Sequence, residues 1–501
     1  MIFGRKSAKK CDIIIIHIIT LVNIFHVKKG LDMNLLKKNE SIPAEERIFS
    51  NKGIMKIIVP MFIQQLLSIT VGMADSMMVS YAGEAAVSGV SLVNTLDNML
   101  IVFFTALVSG GSVVVAQALG SKERKKVTEV AKQLLYATTA VAVLLTVIVL
   151  ILRRPILTLL FGEVEADVMQ SAQDYFWIVA LSFPLLAISE SIGACFRSAG
   201  NSMISLIVSL AINIMNVGGN AIFIFGCNME AKGAALATTI ARFGGAVILL
   251  ILIHNKKYPV HIERLFSYKP DFKIVRKILN IGVPNGVENI MFSFGRLLTQ
   301  TLISMLGTTV IAANSVALSI ANYQYAVNIA ISACVVPIVG QCIGAGKKDQ
   351  AKYYSRLLLI LEYAMLAVVI AITAIFIKPL ISTYNISDEG ISLAIKLLVF
   401  HSIVAVLIYP FGFLMPSTFR AAGDARFSMI FSMISMWCIR VACAYVLALD
   451  TVSVFGWFTI PGLGLGIWGV WIAMAGDWLM RAIVYAIRYF SGKWLRMKKL
   501  M

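Results

Sequence analysis

The stretch "YATTAVAVLLTVIVLIL" (136–152) runs for seventeen residues without a charge, and "ARFGGAVILLILI" (241–253) carries a single arginine at its start. A helix needs about 20 predominantly apolar residues to cross the hydrocarbon core of a bilayer. Runs of this kind recur along the whole chain, and that recurrence excludes most soluble folds. The composition agrees: 59% of the 501 residues are hydrophobic and 14% charged, with a mean hydropathy of +0.84. A soluble protein could not coat itself with so little polar surface. The chain reads as an all-α polytopic membrane protein. About twelve spans are expected, near 54–79, 91–118, 131–152, 170–194, 203–226, 232–253, 278–304, 314–341, 354–377, 392–417, 427–449 and 466–489.

The net charge of +18 suits basic cytoplasmic loops and gives no reason to expect nucleic-acid binding. Lys122, Arg124, Lys125 and Lys126 follow the second span, and Lys347, Lys348, Lys352 and Arg356 follow the eighth. The long loop after the sixth span and the C-terminal tail are basic too. The alternate loops carry Glu84, Glu163, Glu165, Asp167, Asp388, Glu389 and Asp450; Arg153 and Arg154 run against the trend. The positive-inside rule puts both termini in the cytoplasm, in a plasma (inner) membrane. The seven cysteines, at no ligand-like spacing, read as small core residues rather than a disulfide framework. "IIIIHIITLVNIF" near the start is short for a span and lacks a cleavage site; translation is expected to begin at Met33, leaving residues 1–32 outside the protein.

The chain also repeats itself. "IIVPMFIQQLLSI" (57–69) matches "IGVPNGVENIMFS" (281–293). Pro60 and Pro284, Gly83 and Gly307, Gln117 and Gln341, and Gly120 and Gly344 are all related by a shift of 224. "CFRSAGNS" (195–202) returns as "TFRAAGDA" (418–425), so Arg197 matches Arg420. "KGAALA" (232–237) resembles "WGVWIA" (468–473) after the insertion "DTVSVFGWFTIPG". Six spans per copy is an even number, so both copies start on one side and form parallel lobes about an axis along the membrane normal. The expected organisation is an N-terminal extension (1–53), an N-lobe with spans 1–6 (54–253), a basic linker (254–277), a C-lobe with spans 7–12 (278–490) and a basic tail (491–501). Such repeats are typical of alternating-access transporters.

Ionisable residues inside spans are costly and usually functional or paired. Asp75 in "VGMADSMMVS" has no basic residue within a helical turn, and a lone buried carboxylate tends to take a proton or a cation. Asn213, Asn216 and Asn220 share one helical face. They serve either as helix–helix glue or as amide oxygens for a cation. Thr238 is readily satisfied by its own helix. In the second lobe Glu288 and Arg296 lie eight residues apart on one side of a helix, paired directly or through a third group. Asp477 and Arg481 form an i,i+4 pair, most simply read as mutual neutralisation. Asp97, Glu190, Arg242, His401 and Arg440 are weaker candidates. Prolines 60, 184, 284 and 410 can kink their spans. The sequence contains neither HExxH nor GxSxG, and "GQCIGAGKKD" (340–349) has the wrong glycine spacing for a phosphate loop. The chain is therefore not read as an enzyme, and without an ATP site any pumping must draw on an ion gradient. No organic cofactor is expected.

These pieces resemble the multidrug and toxic compound extrusion (MATE) family across about residues 50–490. The matching segments are "ADSMMVSYAGEAAVSGVS", "AQALGSKE", "FRSAGN", "NVGGNAIFIFG" and "GAALAT", then "GVPNGVEN", "LGTTVIAANSVA", "GQCIGAGKKDQA" and "FRAAGDAR". The resemblance implies a two-lobe, twelve-helix exporter that exchanges small organic, mostly cationic and amphipathic compounds for Na⁺ or H⁺, working in membrane lipid as a monomer. The family's span-one aspartate falls on Asp75, its span-five asparagine on Asn216 and its span-six threonine on Thr238. Where the familiar motif has an aspartate and then a proline, this chain has Asn220 and Ala221. Asp75, Asn216, Asn220 and Thr238 would hold the coupling ion, and would be metal ligands if that ion is Na⁺; Glu288 and Arg296 are the second-lobe candidates for ion or substrate. Other readings are a flippase for a lipid-linked substrate, which would need an Arg/Lys-rich cavity, and a non-transporting receptor or scaffold, for which the loops are short.

Overall fold

A computed structural model describes residues 42–81, 84–162, 165–263, 265, 269–384, 386–454, 458–497 and 500. The proposed start at Met33, the segment before it, and Glu163, Arg264, Lys498 and Lys499 lie outside the described residues. The first half holds α1 (Asn51–Ser80), α2 (Glu84–Gly120), α3 (Arg124–Phe161), α4 (Ala166–Ala180), α5 (Phe183–Ser198), α6 (Ser202–Asn220) and α7 (Glu230–Ile253). The second holds α8 (Phe272–Ser304), α9 (Thr308–Gly344), α10 (Lys348–Ile375), the short α11 (Ile377–Ser382), α12 (Asp388–Ala421), α13 (Ala425–Ile434), α14 (Ala442–Ala448) and α15 (Ile467–Phe490). Ten helices are apolar and long enough to cross a membrane among the described residues, counting α13 through α14 as one, and the bent pair α4–α5 makes an eleventh. The twelfth span is α8, which carries Lys273, Arg276, Lys277, Glu288 and Arg296 within its 33 residues.

The fourth span departs from a simple helix. It breaks at Leu181–Ser182 with a 47° bend, and Pro184 begins the second piece, where its missing N–H costs nothing. Both fifth spans contain a π-helical turn: Ala221–Gly226 after α6, and Ser435–Val441 between α13 and α14. The inserted segment before the last span forms a hairpin, β1 (Thr451–Val454) with β2 (Phe458–Pro461), in register from Thr451 opposite Pro461.

The lobes meet through α1 and α2 on one side and α8 and α9 on the other. Helix approach there is close because glycines stand at the crossings. A Cβ at Gly120 would collide with the Gln341 carbonyl oxygen, one at Gly344 with that of Gln117, and one at Gly110 with that of Ile278. This contact lies at the end of α2 and α9 that leads into the basic loops.

Two reciprocal bonds lock that end. Gln117 Nε2 donates to the Ala421 carbonyl at 2.9 Å, and Gln341 Nε2 donates to the Ser198 carbonyl at 2.8 Å. Ser198 and Ala421 are the last residues of α5 and α12, and the final carbonyls of a helix have no partner within it. Each lobe thus caps a helix of the other. The repeated "FRSAGN/FRAAGD" is the turn that presents these carbonyls. Gly200 and Gly423 take positive φ of 78° and 92°, and Asn201 N–H and Asp424 N–H reach back to Phe196 and Phe419 in Schellman turns. Arg197 and Arg420 occupy the last helical turns and pair with Glu190 and Glu288 at 3.3 and 3.5 Å.

The chain ends reinforce this face. The Ile48 N–H donates to Gln350 Oε1 on α10, and Tyr354 Oη bonds the Phe49 backbone, so the N-terminal segment lies on the second lobe. Leu500 N–H donates to Gln117 Oε1 in the first.

Gly344→Ala is expected to destabilise the purified protein by about 1–3 kcal/mol, the usual range for an overpacked contact. Gly218→Ala, where nothing lies within 4 Å of an added Cβ, should not lower the melting temperature. Equal melting temperatures for the two variants would contradict this account of the crossing.

Candidate functional site

In the first lobe three spans converge. Asn220 ends α6 and is buried, and its Nδ2 donates to Asp75 Oδ1 on α1 at 2.5 Å. Asn220 Oδ1 is buried without a partner among the described residues. One turn earlier on α6, Asn216 Nδ2 donates to Thr238 Oγ1 on α7 at 3.2 Å, while Thr238 donates to its own Ala234 carbonyl at 3.0 Å. The helix changes to the π-helical turn just after Asn220, a distortion that recurs at functional sites. The four sequence candidates therefore form two bonded pairs on adjacent turns. Asn213 joins neither pair.

The site holds one carboxylate and several neutral oxygens. Asp75 is partly exposed and lies within electrostatic reach of Tyr175, which hydrogen-bonds Asn94 Oδ1 at 3.0 Å and also senses Asp97 and Arg242. No ion pair joins Asp75 to a basic residue among the described residues. Its charge must be met by a proton, a cation or water. An oxygen donor set with one carboxylate also suits a hard cation such as Na⁺, and the unpartnered Asn220 Oδ1 fits that requirement.

Most other charges inside the spans are already neutralised. Arg242 on α7 grips Asp97 on α2 bidentately, at 2.6 and 3.3 Å, and donates to Ser182 Oγ at the break in the fourth span. Arg481 Nε donates to Asp477 Oδ1 at 2.8 Å within α15, and the fully buried Asp477 also accepts from Ser435 Oγ at 2.6 Å. Arg440 stands 3.8 Å from Asp477 and lies over the Phe292 ring. Buried pairs of this kind are destabilising to break and make poor exchangeable sites.

Of the two arrangements open for Glu288 and Arg296, direct pairing is not seen among the described residues. Eight residues on one helix span about 12 Å, too far for Glu288 to touch Arg296. Glu288 accepts from Ser432 Oγ at 2.6 Å and faces Arg420 at 3.5 Å. Arg296 is exposed, with no hydrogen bond or ion pair among the described residues. Asn201 and Asp424 occupy N-cap positions without capping through their side chains; Asp424 instead accepts two bonds from Arg488 at 2.7 and 2.9 Å.

Sequence reasoning missed Tyr175 and Asn94. Asn94 lies three residues before Asp97, on the same helical face, and could have been found from that spacing. Tyr175 stands where the polar start of α4 (Gln173, Asp174) gives way to the apolar Phe176–Ala180, and no spacing ties it to the other site residues. Neither Glu362 nor Asn328, bonded at 2.7 Å in the core of the second lobe, was singled out.

Comparison with known proteins fits this geometry. The MatE family model matches twice, over residues 60–222 and 284–446, the same shift of 224 seen in the repeat. The chain is 27% identical over 445 residues to the uncharacterized transporter YisQ of Bacillus subtilis, covering 87% of this chain and 93% of that one. It is 26% identical over 464 residues to the probable multidrug resistance protein NorM of Thermotoga maritima, covering 90% and 95%. In fold it superposes on an outward-facing multidrug resistance MATE family transporter of the MOP superfamily with a TM-score of 0.79 at 18% identity, over 88% of this chain and 96% of that one. A MOP superfamily transporter from Pyrococcus furiosus, described as having a binding pocket of reversed polarity, gives 0.76 at 17% identity over 89% and 97%. With twelve helices in two lobes and the family model matched once in each, the chain belongs to the MatE family of membrane transporters.

Proposed function

We propose that the protein is a secondary active multidrug efflux transporter, exchanging small organic compounds from the cytoplasm for Na⁺ or H⁺ by alternating access. The observation that carries this reading is the Asp75–Asn220 contact: an unpaired, partly exposed carboxylate joined to a buried amide with a spare oxygen. Such a group binds one monovalent cation or one proton and must release it for the cycle to proceed. Asp75 would carry the exchangeable charge, Asn220 would hold its carboxylate and offer the second oxygen, and Asn216 with Thr238 would fix the helices around it. When Na⁺ is bound, it supplies the positive charge that offsets Asp75.

Alternating access is supported by the latch. The lobes are tied together at the basic-loop face by two reciprocal polar bonds, set among close apolar packing of α1 and α2 on α8 and α9. If the basic loops are cytoplasmic, this arrangement is closed to the cytoplasm, in a plasma membrane with both termini inside. Relatives named for multidrug resistance support small organic substrates, and the Asp75 carboxylate favours cationic, amphipathic ones acting on a monomeric carrier. The flippase reading is weakened because Arg242 and Arg481 are committed to Asp97 and Asp477, which withdraws two of the four span arginines that a phosphate headgroup could use, leaving Arg296 and Arg440.

Cells expressing the protein are expected to extrude ethidium, and Asp75→Asn should reduce efflux to the level of cells without the transporter while leaving the protein in the membrane. Efflux unchanged by that substitution would remove Asp75 from the mechanism.

In proteoliposomes, at least one imposed gradient, Na⁺ or pH, should drive ethidium movement, because a lone carboxylate can take up either cation. Movement with neither gradient imposed would contradict coupled exchange.

A further inference from the structure

Glu362 lies near the middle of α10, about four turns from its start, fully buried within the second lobe. Its Oε1 accepts from Asn328 Nδ2 on α9 at 2.7 Å, and its Oε2 is buried with no partner among the described residues. No basic side chain lies within ion-pair distance of it among the described residues. The surrounding titratable groups are few. Tyr363 follows it on α10, and Tyr409 on α12 is in electrostatic reach. His401 on α12 is tied up between Tyr325 Oη at 2.7 Å and Gln324 Oε1 at 3.0 Å. Lys378 on α11 is exposed, and the charges of α10 from Lys348 to Arg356 sit in its earlier turns. The described neighbourhood thus offers no cation to balance a carboxylate here.

A buried carboxylate without a counter-charge is untenable, so the group keeps a proton in this arrangement. An amide is a side-chain partner that serves both states: its N–H₂ donates to a carboxylate, and its carbonyl accepts from a carboxylic acid. The repeat-related position in the first lobe, 224 residues earlier, is Thr138, which is satisfied by Ser191 Oγ at 2.6 Å. The fold therefore does not need an acid at this depth.

We propose that Glu362 and Asn328 form a proton-binding site in the second lobe, separate from the Asp75 cluster. Protonation there acts on α9, whose far end carries Gln341 and Gly344 of the latch. The part this site plays in coupling rests on the antiporter reading; the presence of the site does not.

Infrared difference spectra of the purified protein, recorded through an acid-to-alkaline titration, test the site directly. The wild type should show a carboxylic C=O band that disappears on deprotonation. That band should be absent in Glu362→Gln and retained in Asp75→Asn. Asn328→Leu should keep the band but move it to the position of a carbonyl without a hydrogen bond, which covers the case in which Glu362→Gln fails to fold. Identical difference spectra for wild type and Glu362→Gln, or an unmoved band in Asn328→Leu, would overturn the proposal. In proteoliposomes, pH-driven ethidium movement should fall to background in Glu362→Gln. If the wild type moves no ethidium, the antiporter reading fails, and the infrared band alone decides the site.

Discussion

Helices α2 and α9 touch backbone to backbone, with Gly120 against Gln341 and Gly344 against Gln117. Everything at that face of the molecule depends on this approach. Only at such separation can Gln117 reach the Ala421 carbonyl and Gln341 the Ser198 carbonyl. Gln117 is fully buried, and an unpaired buried amide costs about 1–3 kcal/mol. Partial separation would strand the amides and the helix-end carbonyls together. This face is therefore one discrete arrangement, and parting it would exchange a whole set of bonds at once.

The same contact explains the repeated arginine motif. Arg197 and Arg420 are turn residues at helix ends, where a cation meets the negative end of the helix dipole. Their turns matter because the carbonyls beside them are the ones the opposite lobe caps. Arg420 also faces Glu288. That pairing commits Glu288 to the structure of the latch region and explains why it does not meet Arg296.

The apolar runs made the span count legible, because hydrophobic length is a local property. The repeat made the two lobes legible. The fourth span was drawn as one helix, and its break at Ser182 was hinted at only by Pro184. Of the site, the helical spacing of Asn216 and Asn220 and the isolation of Asp75 were readable, and so was the Asp477–Arg481 pair, since i,i+4 partners lie on one helix. The remaining contacts join residues far apart in the chain. Glu288 to Ser432 spans 144 positions and Asp75 to Asn220 spans 145. No periodicity within a helix reports which neighbour a side chain will face. Glu362 escaped notice for a related reason. It follows the basic start of α10 by nearly two turns, close enough that an acid there reads as a continuation of the charged surface.

The two lobes share a backbone plan but not their polar chemistry. A reciprocal latch needs both copies, since each glutamine caps the other lobe's helix, and Gln117 and Gln341 are both present. An ion site needs only one. The repeat-related partner of Asp75 is Thr299, which bonds its own helix at the Gly295 carbonyl at 2.8 Å; the partner of Glu362 is Thr138, likewise back-bonded within its helix. In each case a self-satisfied threonine stands where the other lobe has an acid. Neither acid is required by the backbone plan that the two lobes share. On the reading proposed above, the carboxyls at 75 and 362 serve the charge they can take up and release; they lie in opposite lobes, joined through the helices that meet at the glycine crossing.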